Sequence, residues 1–474
     1  MADQHVTILR GEGLATSVLR ESAIEDLQTR LGGALLRPGD VNYDEARRVW
    51  NGMIDKRPAL IARCRGVNDV INSVRFARTH ELIVAVRGGG HNIAGNAVCD
   101  GGLMIDLSPM KGVRVDPVHR IASAQSGVTW GELDRETQIF GLAVTGGQIS
   151  TTGIAGLTLG GGWGNLARRY GLACDNLISV DLVTAAGEFV TCSESEAPDL
   201  FWGLRGGGGN FGIATSFEYQ LHPISTVLAG IVAYPLAKAA EVLRRFREVT
   251  NTAPDEFSSS LVMVTFPDGT PVVGMVACHS GKLDEAERTV KPLRTIGAPL
   301  IDQIGPMPYT AAQRLVDPFY PPGLHNYWKS NFLKEVSDGV IDTMEHYCAR
   351  RPAPMCHGLI EHQLGGAVGR VSRDATAFNH RDVQYSFMSI GECPTANEAR
   401  ACVRWSREFW MAMQPYSTGS VYVNYLGAEA EEGTERIKAA YGTEKYQRLT
   451  ALKRKYDPTN LFRLNQNIRP GPSA

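Results

Sequence analysis

No stretch of this chain approaches the ~18 consecutive apolar residues that a membrane span needs, so no membrane-embedded role is expected. The first residues, Met1-Ala2-Asp3-Gln4-His5, carry neither the basic nor the apolar segment of a secretory leader. No Lys/Arg-rich block is present and the formal charge is −2, which speaks against a nucleic-acid partner. The nine cysteines (64, 99, 174, 192, 278, 348, 356, 393 and 402) are odd in number and scattered, without CxxC or zinc spacing. They read as reduced thiols of a cytoplasmic protein with no metal centre. Neither GxxxxGK[ST] nor GxSxG occurs, which removes support for a phosphate-loop NTPase or a serine hydrolase.

Glycine, in contrast, is abundant: 51 of 474 residues, and the excess is clustered in loops. Arg87-Gly88-Gly89-Gly90-His91-Asn92 follows the apolar run Leu82–Val86, and three glycines in a row strip a loop of side chains. Backbone N–H groups can then close around a flat or anionic ligand, with an imidazole placed to touch it. A turn histidine bonded only to backbone would not need that run. Further clusters stand at Gly160-Gly161-Gly162 and Gly206–Gly209, and the stretch Gly146–Gly164 interleaves glycine with Ser150, Thr151, Thr152 and Thr158. The last could be a tight reversal alone, but hydroxyls and free N–H groups together favour contact with a diphosphate or an isoalloxazine.

At 474 residues, two domains are expected. Strands are expected at Ala59–Arg63, Val84–Val86, Leu103–Leu107, Arg120–Gln125 and Leu177–Val183, the last turning at Ala186-Gly187-Glu188 into Phe189-Val190. A helix opens near Val67, with Asn68 and Asp69 as cap candidates. After Leu221-His222-Pro223 the texture changes. Strand candidates at Val227–Tyr234, Leu261–Phe266, Pro271–Cys278 and Arg381–Ile390 alternate with helical periodicity at Ala239–Val249, Leu283–Val290 and Thr395–Met413. This pattern describes an antiparallel sheet backed by helices. Near Gly419 glycine and aromatic loops return, and Tyr422-Val423-Asn424-Tyr425 reads as a strand with Tyr422 and Asn424 on one face and Tyr425 on the other.

Gly207-Gly208-Gly209-Asn210-Phe211-Gly212 matches GxGxxG, a fingerprint that works where a strand ends and a helix begins. Here Asp199–Leu204 looks helical and Ile213–Tyr219 looks like a strand, the reverse order, so a nicotinamide-binding reading is set aside.

The motif at 87–92, the run Gly153–Gly171 with Arg168-Arg169-Tyr170-Gly171-Leu172-Ala173-Cys174-Asp175-Asn176, Asp199-Leu200-Phe201-Trp202 with Gly206–Gly212, Tyr422–Tyr425, and Lys455-Tyr456-Asp457-Pro458 with Asn460-Leu461-Phe462 stand in one order. In that order they resemble a berberine-bridge-enzyme-like FAD-linked oxidase of the vanillyl-alcohol-oxidase superfamily. The resemblance implies an α+β fold: a two-part PCMH-type FAD-binding domain (residues 1–221 with a returning segment, 417–474) and a substrate domain (222–416) with an antiparallel sheet backed by helices. It implies FAD covalently attached through His91. Arg87, Gly88, Gly89, Gly90 and Asn92 would cradle the pyrophosphate, and Gly147, Thr151, Thr152, Gly153, Gly156, Gly161, Asn165, Gly212, Ile213, Asn424 and Asn465 would line the cofactor. Some members hold FAD by a second, cysteinyl bond. The matching stretch here, Gln148-Ile149-Ser150-Thr151-Thr152-Gly153, puts Ile149 at the cysteine position, and Cys174 lies too far along the chain to replace it.

The implied reaction is hydride transfer from an alcohol, amine, sugar or natural-product substrate to the flavin, with O2 as acceptor and H2O2 as product. A dehydrogenase with another acceptor, or a flavin-binding protein without turnover, are the alternatives. Tyr425 is the first candidate base, with Tyr422 beside it and Tyr385 second; Glu361 and Gln363 could also face the pocket. A tyrosine near its free pKa of about 10 is a poor base, so a cation such as Lys329 or Arg381 would have to assist. The middle-domain aromatics Phe319, Tyr320, Tyr327, Trp328, Phe332 and Tyr385 suit a planar ring or a packed core equally. The substrate is a small molecule of unspecified class, and nothing in the sequence marks an oligomeric state.

Overall fold

A computed structural model describes residues 5–10, 15–266, 268–352 and 356–471; Met1–Gln4, read above for a leader, lie outside them. Three short buried strands, Leu60–Arg63, Leu103–Asp106 and Val84–Arg87, pair in parallel in that order, with Ala34–Leu36 added antiparallel at the edge. Their runs of β-branched and leucine side chains are closed in by the helix Val67–Thr79, which buries Val70, Val74 and Ala77 at helical spacing. The helix is not capped by Asn68 or Asp69, as the sequence suggested. Gly66 precedes it, and the Asp69 carboxylate accepts instead from the backbone N–H groups of Gly32, Gly33 and Arg65.

A second, antiparallel sheet runs in the order Phe189–Ser193, Leu177–Val183, Ile213–Gln220, Ile121–Gln125, Val113–Asp116. The helix Pro198–Leu204 precedes the Gly206–Gly212 loop and the strand Ile213–Gln220 follows it, the order that had set the dinucleotide fingerprint aside.

Residues between Thr226 and Ala412 build the largest sheet. Among the described residues its order is Ile301–Asp302, Thr226–Pro235, Pro271–His279, Phe257–Thr265, Cys356–Gln363, Tyr385–Cys393, His325–Leu333, with Gly305–Pro308 also pairing to Thr226–Pro235. The helices Ala239–Thr252, Leu283–Arg294, Asp338–Ala349 and Ala396–Ala412 cover one face. That face carries Ile360, Tyr385 and Phe387; the other carries Leu359, Met388 and Ile390, as strand alternation requires. The strand expected from Arg381 starts only at Tyr385. Arg381 lies in the preceding loop, where its guanidinium makes a bidentate, buried pair with Asp175 at 2.7 Å.

The chain then passes through the helices Thr434–Tyr441 and Thr443–Tyr456. The buried Lys453 ammonium donates to Asp457 and to the carbonyls of Asn210 and Phe462, and Leu461 and Phe462 pack into the core of the parallel strands. All nine cysteines are buried and unbridged. Among the described residues no helix is long and apolar enough to cross a membrane, and no cluster of His, Cys, Asp and Glu could hold a metal ion.

Candidate active site

The loop 88–92 leaves the C-terminal end of Val84–Arg87 and meets, backbone to backbone, the turn 151–153 that leads into the helix Ile154–Leu159. A Cβ on Gly89 would sit 2.6 Å from the Gly153 Cα, and one on Gly153 would sit 2.8 Å from the Gly89 Cα, so only glycine fits at either place. Gly90 adopts φ +73°, and its carbonyl accepts from Trp50 N.

Two adjoining cavities open along this junction, of about 270 Å³ and about 170 Å³, and share Val86, Gly88, Asn92, Ala97, Gly156 and Asn424 as walls. The larger reaches His91, Gly147, Thr152 and Gly153; the smaller reaches Gly209, Gly212, Ile213 and Asn465. A Cβ on Gly156 or Gly209 would meet no protein atom and would project into open space at the cavity wall. The buried Asn465 Oδ1 finds no partner among the described residues. Two adjoining cavities with glycine backbone in their walls, open space at Gly156 and Gly209, and an acceptor unpaired among the described residues fit an extended dinucleotide cofactor such as FAD.

His91 lies where the larger cavity meets the glycine loop. Its ring stacks on Trp50 with centroids 5.2 Å apart, and hydroxyls hold both nitrogens: Thr151 Oγ1 is 3.1 Å from Nε2 and Thr152 Oγ1 is 3.4 Å from Nδ1. Burial pushes its pKa down to about 4, so the imidazole is neutral, one nitrogen carrying the proton and the other a lone pair beside a threonine hydroxyl. Ile149 lines the same cavity, whose walls include no cysteine.

Five expected positions fall outside the cavity walls, one of them Thr151, which is exposed with its hydroxyl on His91. The Arg87 guanidinium turns to the Ala46 carbonyl, Gly161 (φ +124°) packs against Phe378, and Asn165 is half-buried beyond the walls. Tyr385 is the larger correction. Its hydroxyl bonds to Thr250 Oγ1 at 2.8 Å and Asn251 Oδ1 at 3.3 Å under the helices, because odd-numbered positions of its strand face the core. Gln363 goes the same way: the register shifts after Ile360, and its amide donates to the Thr250 carbonyl.

The strand expected at Tyr422–Tyr425 is a 3₁₀ turn over Val423–Tyr425. In a 3₁₀ turn residues i and i+3 eclipse, so Tyr422 and Tyr425 face the cavity together rather than on opposite faces. Tyr422 stacks on Trp163 with centroids 3.8 Å apart, and its oxygen accepts from Gly162 N and Asn424 Nδ2. Tyr425 donates its hydroxyl proton to Glu361 Oε1 at 2.8 Å. Burial and the Glu361 charge push its pKa well up, the opposite of what a phenolate base requires. Neither proposed cation is at hand: Arg381 is paired with Asp175, and the buried Lys329 is locked to Glu432 at 2.5 Å, with Glu429 and Glu431 near.

Glu361 thus becomes the central titratable group of the cavity. It is 7% exposed and also accepts from Trp163 Nε1 at 3.1 Å, and burial pushes its carboxyl up to about 7. The remaining side-chain walls include Trp50, Leu157, Tyr320, Trp328, Leu359, Met388 and Ile390, apolar but for the tyrosine and tryptophan tips, together with the polar Gln148. Trp50, Gln148 and Trp163 were not singled out from sequence. Trp163 lay inside the glycine-rich stretch, and its isolation among small residues was the available signal.

Residues 58–193 match the family of FAD binding domains and residues 421–469 the family described as "Berberine and berberine like". An FAD-linked oxidoreductase of Dictyostelium discoideum is 33% identical over 443 residues, 92% of this chain and 95% of that protein. The (R)-6-hydroxynicotine oxidase of Paenarthrobacter nicotinovorans is 32% identical over 448 residues, 92% and 97% of the two chains. The crystal structure of 6-hydroxy-D-nicotine oxidase from Arthrobacter nicotinovorans superposes with a TM-score of 0.86 at 32% identity, covering 93% of this chain and 98% of that one. With that fold, that cleft and those relatives, the chain belongs to the berberine-bridge-enzyme-like FAD-linked oxidoreductases of the vanillyl-alcohol-oxidase superfamily and is an FAD-dependent oxidoreductase.

Proposed function

We propose that this protein is an oxidase that removes a hydride and a proton from a small, ring-bearing amine or alcohol, holds FAD covalently through His91 alone, and passes the electrons to O2 with release of H2O2. FAD, when bound, supplies the two-electron acceptor. The chain's own residues supply position and proton handling. His91 is the one nucleophile at the glycine-loop end of the cleft, neutral and oriented by Thr151 and Thr152. Ile149 offers no second attachment. Nine buried cysteines with no disulfide bridge suit a reducing, cytoplasmic compartment.

The observation that carries the reading is the Glu361–Tyr425 pair in the same cavity as His91. A carboxyl held near neutrality is a base suited to neutral pH. Glu361 takes the proton from the substrate heteroatom, while Tyr425 and Trp163 donate to the carboxylate and fix which oxygen faces the substrate. The apolar walls exclude water and favour flat, weakly polar rings. The name of the Paenarthrobacter relative favours an amine over a sugar.

Purified protein should be yellow and retain its flavin on the chain after acid precipitation, and substrate should draw down O2 with matching H2O2. His91→Ala should still bind flavin in the native state but release it on acid treatment. Flavin set free from the unaltered protein would refute the covalent link, and turnover with an artificial acceptor but without O2 uptake would mark a dehydrogenase.

A further inference from the structure

Beyond Glu361, the cavity-facing side of the large sheet carries a second polar group that the proposed reaction does not use. On that face His357, Leu359 and Glu361 follow one another along one strand, and Met388, Ile390 and Glu392 along the next. Asn326 lies directly opposite Glu392 on the third strand, as Trp328 lies opposite Ile390. Leu359, Glu361, Met388, Ile390 and Trp328 line the cavity; His357 stands opposite Ile390, and Glu392 and Asn326 form the row beyond.

These three side chains are 8%, 1% and 1% exposed. Both Glu392 oxygens, His357 Nδ1 and Asn326 Oδ1 find no hydrogen-bond partner among the described residues. His357 Nδ1 and Glu392 Oε2 stand 3.7 Å apart, too far for a hydrogen bond. Leaving such groups unpaired is costly, and a cluster of them next to the cavity-lining Ile390 and Trp328 on the same sheet face calls for a partner. Tyr320 marks the continuity. Its ring lines the cavity, and its hydroxyl lies in the electrostatic field of both Glu392 and Glu361.

We propose that Glu392, His357 and Asn326 form a distal polar subsite that receives a hydrogen-bond donor at the remote end of an elongated, otherwise apolar substrate. The proposal rests on the reading that oxidation occurs beside Glu361. Four residues of strand separate Glu361 from His357, about 13 Å at the usual rise, which is the length of a two-ring molecule. The walls between the two ends are Trp328, Leu359, Ile390 and Met388, which stack against rings and offer no competing charge. Burial pushes the Glu392 carboxyl up to about 8 and the His357 imidazole down to about 4, so near neutral pH the cluster is uncharged, with the Glu392 carboxyl protonated and able both to donate and to accept. A hydroxyl or amine can both accept from the Glu392 carboxyl and donate to an unpaired acceptor such as Asn326 Oδ1 or His357 Nδ1, whereas an ether of the same shape can only accept and is bound more weakly.

The test is binding to the flavin-loaded protein, followed by perturbation of the flavin absorbance, with 4-phenylphenol and its methyl ether as probes. The unaltered protein should prefer the phenol by about tenfold, the value of one buried hydrogen bond to a group otherwise left unpaired. Glu392→Leu should reduce that preference to within about twofold, and Glu392→Gln, which keeps an acceptor, should retain part of it. Equal affinity for the two probes in the unaltered protein, or an unchanged preference in both variants, overturns the subsite and leaves the cluster as an internally hydrated structural element. If Glu392→Leu fails to fold with flavin, Glu392→Gln and His357→Leu decide by the same ratio. Because the readout needs no turnover, it stands apart from Glu361: loss of preference with an inessential Glu361 would refute the catalytic reading and keep the subsite.

Discussion

The two walls of the active-site cleft are built by opposite means. The wall from residues 88–92 and 147–156 presents backbone, with side chains removed wherever a Cβ would strike the facing loop or fill the cleft. The wall from the large sheet presents side chains only: Leu359, Glu361, Met388, Ile390 and Trp328 project from three neighbouring strands whose own amides are spent on the ladder. A backbone wall suits a cofactor that is the same in every member of the family. A side-chain wall can be changed one residue at a time without disturbing the sheet, which is where substrate choice belongs.

Substitutions on each wall sharpen this contrast. The largest effect is expected on the side-chain wall: Glu361→Gln should lower kcat by about 10²–10⁴-fold, the usual worth of a general base, while flavin content stays normal. The unaltered enzyme should gain activity as pH rises, because a base must be deprotonated. kcat/KM should climb about tenfold per unit below pH 7 and level off above it, and the variant should lose that limb. If Glu361→Gln loses flavin instead of turnover, the division between the walls is wrong.

On the backbone wall the reverse is expected. Gly89→Ala forces a methyl into the Gly153 backbone and should cost about 1–3 kcal/mol of stability, read as a lower denaturation midpoint, together with most of the bound flavin. The smallest effect belongs to the far face of the same sheet. Tyr385→Phe removes the bonds to Thr250 and Asn251, should cost about 1 kcal/mol, and should leave kcat and KM unchanged. A fall in kcat there would return Tyr385 to the chemistry.

Much of the backbone wall was legible in the sequence. Glycine has no side chain to hide what it is for, so Gly88-Gly89-Gly90-His91 and the 146–164 stretch announced a ligand cleft before any fold was known. The side-chain wall was not legible to the same degree. Tyr385 and Glu361 both read as polar groups on strands near a pocket, yet they face opposite sides of one sheet. Strand parity decides that, odd positions of one strand facing the cavity and odd positions of the next facing the helices, and a register shift between Ile360 and His362 sends Gln363 away from the cavity. Tyr425 was found, but as a base. Its 3₁₀ turn and its bond to Glu361, 64 positions earlier in the chain, make it a proton donor instead.

The sequence by itself determined the family, the α+β architecture, the FAD-binding character and the lack of a thiol at position 149, because these rest on local backbone requirements and on residue identity. Only the tertiary structure decided which titratable groups meet. Burial beside Tyr425 and Trp163 raises the Glu361 carboxyl to near neutrality, and burial leaves polar atoms of Glu392, His357 and Asn326 without a partner among the described residues. The pKa and the unmet hydrogen bonds of a side chain are properties of its surroundings, and those are assembled from distant segments only when the chain folds.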